Sequence, residues 1–166
     1  EYQPLLEASA TESQALLRDL LISVSSFFRD PDAFEALTAL VPTLFDGKGA
    51  GDAVRVWVVG CATGEEVYSI AMVLAEHAAT LVDAPRLQLF ATDIDEQGYA
   101  FARAGLYSTA AVAGIDPALL EKYFTREANG FRIAKSLREL VLFAGHNVLH
   151  DPPFSRMDLI SCRNLF

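Results

Sequence analysis

The sequence predicts an α/β fold built on a parallel sheet, and three adjoining segments carry that prediction. Residues 54–59 (VRVWVV) are a short apolar run rich in β-branched side chains, the composition of a strand covered on both faces. Residues 60–64 (GCATG) form a turn with a glycine at each end. Residues 65 to about 79 then place Val67, Ile70, Ala71, Val73 and Leu74 in a helical pattern. Residues 87–92 (LQLFAT) read as a second strand. A strand, a glycine turn, a helix and a strand in that order predict a right-handed crossover between parallel neighbours.

The other elements are read in the same way. Before the first strand, residues 13–22 carry a helical stripe of Leu16, Leu17, Leu20 and Leu21. Asp30-Pro31-Asp32 is a helix start, with Asp30 at the N-cap and proline at the first helical position. Phe34, Leu37, Leu40, Val41 and Leu44 follow at helical spacing. The polar stretch 47–52 then divides a helical N-terminal segment, residues 1–50, from a second unit, residues 51–166. Beyond the second strand, Asp95 caps a helix that runs to about Arg103 and stops at Gly105. Asp116-Pro117 opens another towards Tyr123, and residues 131–134, 140–148 and 157–162 read as strands.

Charge and composition narrow the function. The chain has 166 residues and a formal charge of -9, from 22 acidic and 13 basic side chains, with no basic cluster. Such a surface repels phosphate backbones and argues against nucleic acid as a partner. No apolar run approaches membrane-spanning length, so no membrane insertion is expected. The two cysteines, Cys61 and Cys162, follow neither metal-ligand nor disulfide spacing. A reducing cytoplasm is expected, with no metal site, and both thiols read as small packing groups. The chain starts at a residue other than Met and ends after an apolar run, so it reads as a piece of something longer.

In an open parallel sheet, ligands bind beyond the carboxyl ends of the strands. Four segments fall there. In GCATGEE (60–66), Gly60 and Gly64 let the backbone come close to a ligand, and the next helix offers free N–H groups. The lysine of a phosphate loop is missing; Glu65 and Glu66 stand instead at the helix start and suit a cationic ligand, or simply the helix dipole. In ATDID (91–95), Asp93 is placed to accept from ribose hydroxyls and Asp95 to cap the helix, though both also suit turns. HNV (146–148) and CRN (162–164) each put an asparagine at a strand end, where a turn role is equally open; His146 alone reads as structural.

Taken together, FFRD (27–30), RVWVVGCATGEEVYSIAM (55–72), ATDID (91–95), HNVLHDPPFS (146–155) and DLISCRN (158–164) resemble the CheR family of chemotaxis-receptor glutamate methyltransferases in order and spacing. The lead-in over residues 16–37 looks most like hybrid proteins that join this domain to methylesterase and PAS modules. The resemblance implies a Rossmann-like class I S-adenosylmethionine-dependent methyltransferase fold, incomplete at its C-terminus. It also implies a helical lead-in and a small antiparallel β-subdomain at about 120–143. The implied cofactor is S-adenosylmethionine, leaving as S-adenosylhomocysteine, and the implied acceptor is the cytoplasmic domain of a chemoreceptor.

By the same resemblance, Glu66 holds the cofactor's amino group, Asp93 its ribose, and Gly60 lies in the cofactor turn. Asn147 with Val148, and Asn164 with Leu165, flank its adenine and methionine parts. Ser23 and Ser25 stand where the family has polar cofactor contacts, usually Asn and Thr. Arg29 matches an arginine beside the methyl-transfer site; otherwise it would be a surface residue before the next helix. The loop 125–130 is short, whereas a longer one goes with docking a receptor's C-terminal pentapeptide, so no such tether is expected. A family tyrosine lies past residue 166, and a fragment without that part should be less stable than the full domain, or dimerise. Three other readings stay open: a methyltransferase with another acceptor, a non-catalytic cofactor-binding or sensory module, and, more distantly, a dinucleotide oxidoreductase.

Overall fold

The computed structural model describes Ser9 and residues 25–163. The expected helix over 13–22, Ser23, Asn164 and Leu165 lie outside the described residues.

Four parallel strands form the main sheet. The chain enters through helix α1 (Pro31–Phe45), makes strand β1 (Ala53–Val59), crosses by α2 (Glu65–Ala78) and returns as β2 (Arg86–Asp93). It continues through α3 (Glu96–Ala104), β3 (Leu106–Tyr107), α4 (Thr109–Val112) and α5 (Pro117–Tyr123). The hairpin β4 (Phe124–Glu127) and β5 (Gly130–Ile133) follows, then α6 (Lys135–Arg138), β6 (Val141–Gly145) and β7 (Leu159–Cys162). The main sheet runs β6-β2-β1-β7, so the chain steps outward from β1 to β6 and then jumps back to the other side of β1. This reversal between β1 and β7 is the switch point at which doubly wound sheets open a ligand crevice.

Period-two alternation decides what the sheet buries. Val54, Val56 and Val58 of β1 and Leu89 and Ala91 of β2 are buried with Val67, Ile70, Ala71 and Leu74 of α2. In register across the other face lie Leu142, Phe90, Trp57 and Ile160. Trp57 is buried and donates its indole N–H to Thr92 Oγ1 at 3.0 Å, with His146 and Phe154 packed edge-on against it. Leu142 and Ile160, at the ends of this row, remain 54% and 55% exposed. Parallel strands are ordinarily covered on both faces, and among the described residues His146 and Phe154 cover the second face at its centre.

The antiparallel sheet runs β3-β5-β4. It begins at Leu106, earlier than residue 120, and the expected strand 140–148 shortens to β6, which pairs with β2 in the parallel sheet. A two-residue strand such as β3 is too short to show an alternation. Within the loop expected over 125–130, Thr125–Glu127 is already strand, and Glu127 pairs with Gly130, leaving Ala128 and Asn129 as the turn. Gly130 is required there: its φ is +145°, and a Cβ would come within 2.1 Å of the Tyr107 carbonyl oxygen. Tyr123 donates its hydroxyl to Glu76 at 2.5 Å and joins α5 to α2. Asp95 caps its helix as expected, accepting from Gln97 N–H, and Asp116 caps α5, accepting from Ala118 and Leu119 N–H. Asp30 does not: it occupies the N-cap position of α1, but its carboxylate turns away to Arg163.

Candidate functional site

The carboxyl ends of β1, β2, β6 and β7 bring the candidate residues to one edge of the sheet. The turn after β1 is tightly wound, with Gly60, Ala62 and Gly64 at φ of 68°, 45° and 91°. Its backbone is tied internally and to β2: Cys61 N–H donates to Thr92 O at 3.0 Å, and Gly64 N–H donates to Cys61 O at 2.8 Å. Behind it, Tyr107 donates its hydroxyl to Thr63 O at 2.7 Å. Burial, and then the nearby Glu65 carboxylate, push the Tyr107 phenol up, so it stays a neutral donor.

Asp93 is the hub of the turn. One carboxylate oxygen accepts from Ala62 N–H at 2.7 Å and the other from Asp95 N–H at 2.9 Å. Each oxygen has a second lone pair, so a diol can still be accepted on the outer side. His146 N–H donates to the Asp93 carbonyl at 3.1 Å and brings the 146–152 turn alongside. There Asn147 is engaged in its own turn: its side-chain oxygen accepts from Leu149 N–H at 3.0 Å, and its N–H donates to Asp151 at 2.7 Å. Val148 is exposed beside it.

The two glutamates of the turn separate. Glu65 is buried and accepts from Thr63 Oγ1 at 2.6 Å, so it braces the loop. Glu66 reaches the crevice between β1 and β7, accepts from Ser161 Oγ at 2.6 Å and faces Arg163 at 3.6 Å. Of the pair, Glu66 is the one whose carboxylate lies at the crevice.

The FFRD segment forms a turn of high backbone strain. Phe28 and Asp30 have φ of 51° and 60°, a region that costs a non-glycine residue about 1–2 kcal/mol. Phe28 N–H donates to Ser69 Oγ on α2 at 3.0 Å, and the carbonyl of exposed Arg29 accepts from Arg163 at 3.1 and 3.2 Å. Ser25 is half-buried just before this turn. Sequence reasoning assigned nothing to Ser161, Ser69 or Arg163. A signal was present for Ser161, which alternates onto the same face as Leu159 and is a hydroxyl in an otherwise apolar strand.

Cys61 is 2% exposed, and burial, followed by the Asp93 carboxylate, pushes its thiol up. Cys162 is exposed. Brief alkylation at pH 8 should therefore add one group to the native protein, at Cys162, and two after unfolding, with Cys61 more than about 100-fold slower in the native state. Intact-mass measurement reads this directly; rapid native labelling of Cys61 would show that the turn opens.

Among the described residues, no helix is long and apolar enough to cross a membrane, and no cluster of His, Cys, Asp and Glu is placed to hold a metal ion. The donor set fits S-adenosylmethionine. A carboxylate at the crevice suits an ammonium, a second carboxylate with open lone pairs suits a ribose diol, and a turn with little side-chain bulk lets the molecule lie between them.

Residues 23–166 match the family described as CheR methyltransferase, SAM binding domain. The chain is 40% identical over 164 residues to an uncharacterized 104.1 kDa protein of Rhodobacter capsulatus, covering 98% of the chain and 17% of that protein. It is 35% identical over 177 residues to the chemotaxis protein methyltransferase of Escherichia coli, covering 99% of the chain and 57% of that protein. With chemotaxis protein methyltransferase 2 of Vibrio cholerae it shares 31% over 163 residues, 96% of the chain and 56% of that protein. The chain thus spans little more than half the length of the two methyltransferases. The turn, the switch point and these matches agree: the chain belongs to the CheR methyltransferase family, over its S-adenosylmethionine-binding domain.

Proposed function

We propose that this domain serves a protein-glutamate O-methyltransferase that modifies the cytoplasmic domains of chemoreceptors. The supporting observation is the placement of Glu66, at the start of α2 and against β7, and of Asp93, at the end of β2, on either side of the 60–64 turn, with the Arg29 turn held beside the end of β7. Glu66 holds the amino group of the cofactor and Asp93 its ribose, while Gly60 gives the backbone room. Asn147 and Val148 border the adenine side, with Ser25 a further polar contact. Ser23, Asn164 and Leu165 complete the set on the resemblance alone. The 17% coverage of the 104.1 kDa relative supports a place for such a domain within a longer protein.

When bound, S-adenosylmethionine supplies an electrophilic methyl group on a sulfonium. The acceptor carboxylate has a reference pKa of about 4.3, so it is already a nucleophile at neutral pH and needs no general base. The protein's task is alignment and exclusion of water. Arg29 is the cation proposed to orient the incoming carboxylate. The short two-residue turn at Ala128 and Asn129 supports the reading that no pentapeptide tether is used and that receptor recognition lies elsewhere.

In the natural full-length protein, Arg29→Ala should lower methyl transfer to receptor by about 100-fold, while S-adenosylhomocysteine affinity stays within about 3-fold. Labelled-methyl incorporation and calorimetry read the two effects, and a receptor lacking its C-terminal pentapeptide should be modified as well as the intact one. Undiminished transfer by Arg29→Ala would sink the assignment.

A further inference from the structure

Arg163 closes the sheet's last described strand and reaches across the crevice to the other end of the chain. Its two terminal nitrogens donate to the Arg29 carbonyl at 3.2 and 3.1 Å, and one of them pairs with the Asp30 carboxylate. The same guanidinium faces Glu66 at 3.6 Å and lies over the Phe34 ring at 5.8 Å. The Arg163 side chain is 24% exposed and its partner Asp30 61% exposed, so the pairing with Glu66 and the Arg29 carbonyl, rather than the ion pair with Asp30 alone, holds the guanidinium in place.

The turn it grips is also packed from below: Phe27 stands edge-on to Tyr107 and Phe124, and Phe28 edge-on to Phe34. Arg29 stands between two left-handed non-glycine residues, Phe28 and Asp30. Such a conformation persists only where neighbours over-determine it. Hydrogen bonds reach it from two sides: Ser69 on α2 takes Phe28 N–H, and Arg163 beyond β7 takes the Arg29 carbonyl and the Asp30 side chain. Ser69 is itself set by donating to Glu65 O at 2.7 Å. A planar fork is needed to serve a carbonyl and two carboxylates lying in different directions, and a lysine ammonium lacks that geometry.

We infer that Arg163 is a positioning residue: it ties the Arg29 turn to the carboxyl end of β7 and to Glu66, and so sets where Arg29 is presented relative to the cofactor crevice. The inference rests on the reading of Arg29 given above. It makes Arg163 act on the transfer step through Arg29 rather than on cofactor affinity. Asp30 is its partner in that task, which explains why this N-cap residue leaves its own helix uncapped.

The test is a cycle in the natural full-length protein with Arg163→Lys, Arg29→Ala and the double variant. Turnover with receptor, S-adenosylhomocysteine affinity by calorimetry and melting temperature are measured for each. Arg163→Lys should lower kcat about 10-fold or more, with cofactor affinity within about 3-fold and melting little changed. Added to Arg29→Ala it should lower kcat no further, because both act through one group. If Arg163→Lys melts early, Asp30→Asn, which removes a partner but leaves Arg163, decides by the same readouts. Wild-type turnover by Arg163→Lys alongside an inactive Arg29→Ala overturns the positioning role alone. Additive losses overturn it too, as does a parallel fall in affinity and turnover. Normal turnover by Arg29→Ala overturns the reading of the turn, and the positioning role with it.

Discussion

Replacing Asp93 with alanine should abolish saturable binding of S-adenosylhomocysteine, a loss of about 100-fold or more in affinity. Hydrogen bonds to a charged acceptor contribute about 1.5–3 kcal/mol each, and two ribose hydroxyls would be lost together. The variant also removes the acceptors of Ala62 and Asp95 N–H, so the 60–64 turn keeps only the Cys61 N–H to Thr92 O bond among its ties to the end of β2 described above. Leaving such donors unsatisfied costs about 1–3 kcal/mol each where water does not replace the carboxylate, so a lower melting temperature should accompany the binding defect. Asp93→Asn separates the two effects. Its single carbonyl oxygen can serve one backbone donor, so stability should be partly restored while affinity stays low. Calorimetric titration checks both variants, and wild-type affinity in Asp93→Ala would move the cofactor site away from β2.

Gly64→Ala should be the most damaging small substitution in the turn. A Cβ there would lie 2.6 Å from Ala102 Cβ and 3.0 Å from the Tyr107 hydroxyl, at a φ of +91°. Left-handed backbone adds about 1–2 kcal/mol for alanine, and overpacking adds about 1–3 kcal/mol. The combined loss of roughly 2–5 kcal/mol corresponds to a fall of about 5–15 °C in melting temperature for a domain of this size. Gly47→Ala is the matched control: its φ is +71°, but nothing lies within 4 Å of the added Cβ. It should cost no more than the backbone contribution, about 1–2 kcal/mol. Equal losses at both sites would show that the contact with α3 and Tyr107 is not what fixes Gly64. Cofactor affinity should fall with Gly64→Ala and hold with Gly47→Ala, because only the former shifts the turn.

The parallel core was legible from side-chain type alone. The run from Val54 to Val59 reads as strand because Val54, Val56 and Val58 recur at every second position on the face that α2 covers, and the helix at Glu65 starts where Gly64 ends the turn. The small sheet was less legible. Leu106–Tyr107 is two residues long, and Leu142 and Phe143 carry the same apolar signal whichever sheet they join. Register with β2, a long-range pairing, assigns them.

The candidate site divides along the same line. Asp93 and the GCATG turn are local features, read from glycines and an acid at strand ends, so the residue types by themselves place them. Which of Glu65 and Glu66 faces the crevice is not local. The helix twist sends one back to Thr63 and the other out to Ser161, 95 residues away in sequence. The partnership of Arg163 with Arg29 and Asp30 spans more than 130 positions. The sequence by itself therefore determined the fold class, the strand-end chemistry and the family, because these depend on residue type and short spacing. Only the tertiary structure decided which carboxylate opens to the crevice and what grips the Arg29 turn, because those follow from side chains that meet when β7 returns beside β1.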